Sequence, residues 1–304
     1  MRSRDLTEML VLAAVWGAAF LLLRLTVPEF GTVPLAWLRL AGAAALLLPL
    51  LLWQGQARLL SRHWRPMLLM GVTNSALPFL CSSYAALHLT AGLNAILNAA
   101  TPLFAAAIAW AWLHDRLSAS RVLGLALGFA GVAWLAAARS GLAGVQGDAA
   151  LWAMAACMVA TCSYGFSACY AKKRLGDVPP VVSATGSLAA GALLLALPAA
   201  AAWPAQALSV AAWGWVLVLA LLCTGVTCLM YFRLIARLGP ARAVTVTFLL
   251  PVFGAGWGAV FLGERISAPM LAGGVAILLG TALATGALQR LLPRLRPASG
   301  SPAP

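Results

Sequence analysis

Charged residues are scarce in this sequence, and acidic residues are almost absent. Only 9% of the 304 residues are charged, and Asp and Glu together number seven. A soluble domain has about 25% charged residues, so a soluble fold with a solvated surface is excluded. Apolar residues take their place, at 63% of the chain, which predicts an integral membrane protein surrounded by the lipid bilayer.

The side chains that enzymes and metal sites need are also missing from the apolar segments. The three histidines lie at the ends of predicted spans, the seven carboxylates lie at termini or in connections, and the six cysteines form no Cys-x-x-Cys pair. No His-Glu-x-x-His or Gly-x-Ser-x-Gly motif occurs. We therefore expect no metal, no cofactor and no intramembrane enzyme. Proton-driven carriers commonly use an Asp or Glu inside the membrane, whereas the carboxylates here lie at termini or in connections. The sequence therefore does not decide between ion-coupled transport and simple exchange.

Apolar runs long enough to cross a bilayer recur ten times. A crossing helix needs about 20 mostly apolar residues, and Gly, Pro and polar residues mark the short connections. The predicted spans cover residues 7–27, 32–53, 65–88, 91–113, 121–138, 149–171, 179–202, 210–232, 240–262 and 268–289. The predicted fold class is an all-α integral membrane protein with ten transmembrane helices.

Lys and Arg predict the orientation, because they concentrate in cytoplasmic connections. With the N-terminus inside, 16 of the 20 basic residues fall on the inner side; only Arg139 and Arg265 fall outside, and Arg24 and Arg39 lie within spans. We predict a multi-pass protein of the bacterial cytoplasmic (inner) membrane with both termini cytoplasmic. Because this bias accounts for the net charge of +13, nucleic acid is not expected as a partner.

One apolar segment with a charged exit is present twice. "NAATPLFAAAIAWAWLHDRLS" at residues 98–118 aligns without a gap with "TFLLPVFGAGWGAVFLGERIS" at residues 247–267, an offset of 149 positions. The alignment pairs Pro102 with Pro251, and it pairs Asp-Arg in the first copy with Glu-Arg in the second. The chain is therefore predicted to contain two copies of one five-helix unit.

Five is an odd number of crossings, so the second copy is predicted to enter the membrane inverted. Inverted repeats are the architecture of many secondary transporters, whose site lies between the halves. The predicted halves are residues 1–143 and 144–290. Residues 291–304 are low in complexity and are expected to form a disordered cytoplasmic tail.

The motifs, in this order, resemble the EamA family of the drug/metabolite transporter superfamily. The resemblance rests on "WGAAF" at 16–20, "PLAWLRLAGAAALLL" at 34–48, the repeated segments and the glycine-rich span after each, and it covers about residues 8–290. It implies ten helices around a central cavity and the export or exchange of small metabolites, often amino acids. A flippase for a lipid-linked molecule stays open as the alternative, as does the choice between monomer and homodimer.

Polar and aromatic side chains inside the spans are the candidate substrate contacts, because polar groups there are costly unless they face a partner or a cavity. Asn94, Asn98 and Thr101 form one helical stripe, for which hydrogen bonding between helices is the alternative. The predicted substrate-binding residues are Trp16, Phe20, Arg39, Asn74, Tyr84, Asn94, Asn98, Thr101, Tyr164, Thr227, Tyr231 and Thr247. Pro102 and Pro251 are predicted hinges, with plain kinks as the alternative.

Two arginines lie inside predicted spans. Arg39 lies about eight residues into the second span, or about 12 Å along the helix axis. It either binds a substrate carboxylate in a bidentate manner or snorkels to the outer interface, and no span offers an acidic residue to neutralise it. Arg24 lies nearer to the end of its span, where we expect snorkelling.

Overall fold

The computed structural model describes residues 3–115, 118–138, 147–238 and 244–287, and every regular element in these ranges is helical. A short helix, Ala57–Arg62, lies in the connection between the second and third segments. The longer segments, in chain order, are α1 Ser3–Phe30, α2 Thr32–Trp53, α3 (Trp64–Met70, Gly71–Ala76 and Leu77–His88), α4 (Ala91–Asn98 and Thr101–Leu113), α5 Ala119–Ala137, α6 Gly147–Arg174, α7 Pro180–Ala201, α8 (Val210–Leu217, Val218–Val226 and Thr227–Leu238), α9 (Val244–Leu249 and Leu250–Leu262) and α10 Ala268–Ala284.

Within the described ranges, seven helices are long and apolar enough to cross a membrane; they belong to α1, α2, α4, α5, α6, α7 and α8. A π-helical turn divides α3, and the apolar parts of α9 and α10 are shorter. Large apolar side chains such as Leu193, Leu197 and Val210 are 78–89% exposed, as expected for contact with lipid. The all-helical membrane fold is confirmed, and the ten crossings stay a prediction. The predicted tail and the boundary between the halves at 143–144 lie outside the described residues.

The most extensive helix contacts keep the same pattern when the first five segments are exchanged with the last five. Three segments pack on their own counterparts: α2 on α7, α4 on α9 and α5 on α10. The other large contacts also correspond between the two halves. α1 packs on α8 and α9, and its counterpart α6 packs on α3 and α4. α2 packs on α8, and its counterpart α7 packs on α3. A five-helix unit used twice is expected to give this pattern.

Glycines at two matched positions allow four helices to approach closely. A Cβ on Gly17 of α1 would lie 2.6 Å from the Cβ of Phe253 in α9, and a Cβ on Gly165 of α6 would lie 2.7 Å from the backbone nitrogen of Ala105 in α4. Both distances are far inside van der Waals contact, so only glycine fits there. These glycines belong to "WGAAF" at 16–20 and to "YGFSA" at 164–168, two similar pentapeptides in the first helix of each half, so packing explains this similarity.

α4 and α9 are interrupted at equivalent points. The helix of α4 breaks at residues 99–100, just before Pro102, and α9 changes from a 3-10 helix to an α-helix just before Pro251. Proline is tolerated near a helix start because its missing N–H leaves no helical bond unmade. Thr281 of α10 donates to the Ala99 carbonyl at 3.1 Å, which satisfies an acceptor at the break. A hinge role for the two prolines stays a prediction.

Polar contacts tie α1 to its neighbours at both of its ends. Near its start, Arg237 of α8 pairs with Asp5 at 3.5 Å and with Glu8. At its far end, Glu29 accepts hydrogen bonds from the backbone nitrogen and the hydroxyl of Ser209, each at 2.9 Å. Each contact joins residues that the charge pattern places on the same side of the membrane.

Candidate functional site

A cavity of about 1120 Å³ lies between the two sets of five segments, and each of the ten segments contributes to its wall. Nine of the twelve predicted substrate-binding residues line this cavity, and so does Pro102. The nine are Trp16, Phe20, Arg39, Asn74, Asn98, Thr101, Tyr164, Tyr231 and Thr247. The structure therefore brings most of the predicted set together, and contact with substrate stays a prediction for each of them.

Asn94 and Tyr84 do not line the cavity. Asn94 is 1% exposed; its Nδ2 donates to the Ser82 carbonyl of α3 at 3.3 Å, and its Oδ1 accepts from the Cys157 thiol of α6 at 3.4 Å. It joins three helices, which is the alternative that the sequence left open for this stripe. Tyr84 packs edge-on against His88, with ring centroids 5.1 Å apart, and against the core beside α6.

Thr227 lies behind the cavity wall rather than in it. It is fully buried, and its hydroxyl accepts a hydrogen bond from Trp16 Nε1 at 2.8 Å and donates one to the Cys223 carbonyl at 2.8 Å. The Trp16 ring in turn lies 5.2 Å from the Tyr231 ring, at an angle of 50°. Thr227 thus fixes the orientation of an aromatic pair that faces the cavity.

Replacement of Thr227 by valine is expected to loosen this aromatic wall. The Trp16 N–H would lose its acceptor, and an unsatisfied buried donor costs about 1–3 kcal/mol. Thermal unfolding of the detergent-purified protein measures the loss, and the apparent affinity for a transported compound measures its effect on the site. Thr227→Ser keeps the hydroxyl and serves as the control, which should behave like the wild type. A valine variant as stable as the serine variant would contradict this account of Trp16.

Arg39 lies in the cavity wall with unused hydrogen-bonding capacity. The residue is 7% exposed, and the centre of its guanidinium lies 4.3 Å above the Phe79 ring. Its Nε is buried and has no hydrogen-bond partner among the described residues. Arg39 therefore lines the cavity, and substrate binding and snorkelling both stay predictions for it. The Nδ2 of Asn98, also in the wall, is a second buried donor without a partner in the described ranges.

Arg24, for which the sequence predicts snorkelling, forms an ion pair with Glu264 near the end of α1, and its position relative to the membrane interface stays a prediction. Its Nε lies 3.1 Å from Oε1 of Glu264, and its Nη1 donates to the Leu89 carbonyl at 2.7 Å. The Glu264 side chain, predicted in a connection, is only 10% exposed and also accepts from the backbone nitrogens of Ala91 at 3.0 Å and Gly92 at 3.4 Å. Its carboxylate thus lies at the N-terminus of α4, where the helix dipole favours negative charge.

A second ion pair occupies the matching place in the other half. Lys172 Nζ lies 3.2 Å from Asp115 Oδ2. Lys172 follows Arg24 by 148 positions and Asp115 precedes Glu264 by 149, so each pair joins the first helix of one half to the exit of the fourth helix of the other. The side chains of Lys172 and Asp115 are 65% and 44% exposed and line the cavity, whereas Arg24 and Glu264 do not. Of these two described ion pairs, the exposed Lys172–Asp115 pair lines the cavity and the Arg24–Glu264 pair lies outside its wall.

Several wall residues were missed in the sequence. Ser183 and Ser187 of α7 line the cavity, and their i, i+4 spacing is as regular as that of Asn94 and Asn98, so this stripe was recognisable. Phe79 gave no signal, because nothing in the sequence places its ring beneath a guanidinium of α2. In the described part of the chain, no cluster of His, Cys, Asp or Glu suitable for a metal is present.

A helical membrane bundle with a cavity between two similar halves is the architecture of many secondary transporters. The sequence model of the EamA-like transporter family matches residues 7–137 and again residues 151–286. The chain belongs to this family, which confirms the resemblance drawn from the repeated segments. The two matches agree with a chain composed of two family units.

Among the proteins similar to this chain are a bacterial transporter and a protein of known structure. The uncharacterized transporter YvbV of Bacillus subtilis (strain 168) is 25% identical over 221 residues, which cover 70% of this chain and 69% of that protein. A protein of known crystal structure is 20% identical, with a TM-score of 0.64 over 96% of this chain and 99% of that one, which shows the shared fold. The family and the relative point to a membrane transporter rather than to an enzyme.

Proposed function

We propose that the protein is a secondary transporter that exports or exchanges small metabolites across the bacterial cytoplasmic membrane by alternating access. The observation that carries the proposal is the cavity of about 1120 Å³ between the halves, which reaches the surface beside Lys172 and Asp115. The Arg24–Glu264 pair lies outside the cavity wall, and we infer that it closes the opposite end. A carrier in one of its two states presents a site of this kind, open to one side only.

The two matched ion pairs are the proposed gates. The Arg24–Glu264 pair is the outer gate, and the Lys172–Asp115 pair is the inner gate. If the halves exchange conformations, the inner pair becomes buried and the outer pair becomes exposed. A hydrogen bond to a charged group contributes about 1.5–3 kcal/mol, whereas an exposed ion pair contributes about 0–1 kcal/mol. The buried pair therefore stabilises the state in which its own gate is closed more than the exposed pair does.

Flux through proteoliposomes tests the proposed function. The purified protein is reconstituted, and uptake of amino acids, amines and aromatic acids is measured with and without the same compound inside. We expect saturable uptake of at least one compound, accelerated by internal substrate as exchange requires.

The control for this experiment links the outer gate covalently. In a variant whose six native cysteines are replaced, Arg24→Cys and Glu264→Cys are joined with a short bismaleimide. The link should abolish flux, because alternating access needs this end to open. Flux that continues after complete linking would contradict alternating access, and the absence of any saturable uptake would contradict the proposed function itself.

Reporter fusions are expected to place the Lys172 end in the cytoplasm. Fusions after Arg174 and after Arg290 should read as cytoplasmic, and one beside Asp148 should read as external, because 16 of the 20 basic residues are predicted on the inner side. Alkaline phosphatase and green fluorescent protein report the two sides in a complementary way. Reporters at positions 148 and 290 on the same side of the membrane would refute the ten-span topology.

A further inference from the structure

We propose that the central site selects an organic monocarboxylate with an apolar or aromatic body, held by Arg39, over a zwitterionic amino acid or an amine. The proposal rests on the proposed function and deepens it by naming a substrate class. It depends on three observations: the state of the Arg39 guanidinium, the charges along the cavity wall, and the aromatic groups in that wall.

The Arg39 guanidinium is held in place but not neutralised. Phe79 lies against one face of it, with the centre of the guanidinium 4.3 Å from the ring centroid. In the described ranges no carboxylate lies within ion-pair distance of Arg39, and its buried Nε has no acceptor. A cation–π contact fixes the plane of the fork and leaves the N–H groups at its edge available. A carboxylate matches this edge with two parallel hydrogen bonds.

The charges of the cavity wall are unbalanced in favour of an anion. Three basic residues line it, Arg39, Arg121 and Lys172, against one carboxylate among the described lining residues, Asp115. Asp115 lies at the mouth and is paired with Lys172. The deep part around Arg39 therefore contains a cation and no described carboxylate. An ammonium group there would lie near the positive charge of Arg39 and would have no carboxylate to pair with. This is unfavourable at low dielectric.

The rest of the cavity wall suits an apolar body. Trp16 and Phe20 of α1 line it, as do Tyr164 of α6 and Tyr231 of α8, and Thr227 fixes the orientation of the Trp16 ring. Aromatic walls bind apolar and aromatic groups through buried area and edge-to-face contacts. The amide Nδ2 of Asn98 offers a further donor without a protein partner in the described ranges, and a donor favours an oxygen on the ligand over an ammonium.

Three compounds with the same phenyl body and different charge test the substrate class. Phenylpropionate is an anion, phenylalanine is a zwitterion and phenethylamine is a cation. Binding of each to the purified full-length protein is measured by isothermal titration calorimetry, and flux is measured in proteoliposomes. We expect phenylpropionate to bind more tightly than either analogue by about tenfold or more, because the ammonium group of each analogue would lie near the positive charge of Arg39 at low dielectric.

Variants at Arg39 then assign the preference to this residue. Arg39→Gln should remove the preference for phenylpropionate, and Arg39→Lys should keep part of it, because lysine keeps the charge and loses the planar fork. Arg65→Gln is the charge-matched control, since Arg65 is exposed on α3 outside the described cavity wall. The order of the three ligands on the wild-type protein decides the proposal even if an Arg39 variant fails to fold.

The outcomes separate this proposal from the proposed function. Binding of phenylpropionate that depends on Arg39, without any flux, would support the anion site and count against transport. Preferred binding and flux of phenylalanine or phenethylamine would leave the transport function standing and overturn the substrate class. Failure of all three ligands to bind, or a preference for phenylpropionate that Arg39→Gln does not reduce, would also overturn it.

Discussion

Replacing Glu264 by glutamine is expected to open the outer end of the cavity. The substitution keeps the shape of the side chain but removes the negative charge that Arg24 and the backbone nitrogens of Ala91 and Gly92 contact. Hydrogen bonds to charged groups contribute about 1.5–3 kcal/mol. The loss of that contribution shifts the population of outer-open molecules by about 10- to 100-fold, since each 1.4 kcal/mol is a factor of ten.

The measurement is the rate at which an impermeant maleimide, added outside, labels Leu23→Cys in a background without the six native cysteines. Leu23 lies one position before Arg24 and lines the cavity while being 2% exposed, so it reacts slowly as long as the outer gate is closed. Glu264→Gln should raise the labelling rate about in proportion to the population shift, roughly 10- to 100-fold.

The matched control for this prediction is Asp115→Asn at the other gate. The Asp115–Lys172 pair is exposed in this state and contributes about 0–1 kcal/mol. Outer opening requires the inner gate to close, so Asp115→Asn should leave external labelling of Leu23→Cys unchanged or slower. Equal acceleration by Asp115→Asn and Glu264→Gln would indicate general loosening of the fold and would refute the assignment of gates.

The positions of the helices were predictable from the sequence. The second predicted span, 32–53, coincides with the observed Thr32–Trp53, and the fourth, 91–113, agrees with the outer limits of α4. The bilayer makes this possible, because a crossing segment must satisfy its backbone internally and must be apolar over a fixed length. The interruptions of the helices were harder to predict from the sequence. Pro102 indicated a kink, but no comparable residue indicates the π-helical segments Gly71–Ala76 and Val218–Val226.

Contacts between the halves were the part that the sequence did not predict. Arg24 and Glu264 are 240 positions apart, and their local sequence indicates only a basic residue near a span end and an acidic residue in a connection. The 149-residue offset relates Glu264 to Asp115, and it does not say which residue of the opposite half either one meets. That information depends on how α1 packs on α9, which is decided by close contacts such as the one at Gly17.

Two asparagines one helical turn apart illustrate the same limit inside the site. Asn94 and Asn98 share a stripe and a residue type, so the sequence predicts one role for both. Asn94 has both ends of its amide bonded to α3 and α6, whereas Asn98 lines the cavity with its Nδ2 unbonded to any described residue. The two asparagines differ because different residues surround each turn of α4, and those residues belong to other helices.

Alanine substitutions at these two asparagines are therefore expected to have opposite effects. Asn94→Ala leaves the Ser82 carbonyl and the Cys157 thiol without their partner, so it should lower thermal stability by about 1–3 kcal/mol and leave substrate affinity unchanged. Asn98→Ala breaks no described side-chain hydrogen bond, so stability should hold. Substrate affinity should fall by about 10- to 100-fold, the cost of leaving a polar group of the bound ligand unsatisfied.

Thermal unfolding and the apparent affinity for the compound with the highest flux measure both effects on the same protein samples. Thr101→Val is the control within the cavity wall, because the Thr101 hydroxyl already donates to the Asn98 carbonyl at 2.8 Å and its loss should weaken binding less than Asn98→Ala does. If Asn98→Ala lowers stability and leaves affinity intact, Asn98 is a structural residue like Asn94. The unbonded amide in the cavity wall would then play no part in holding the substrate.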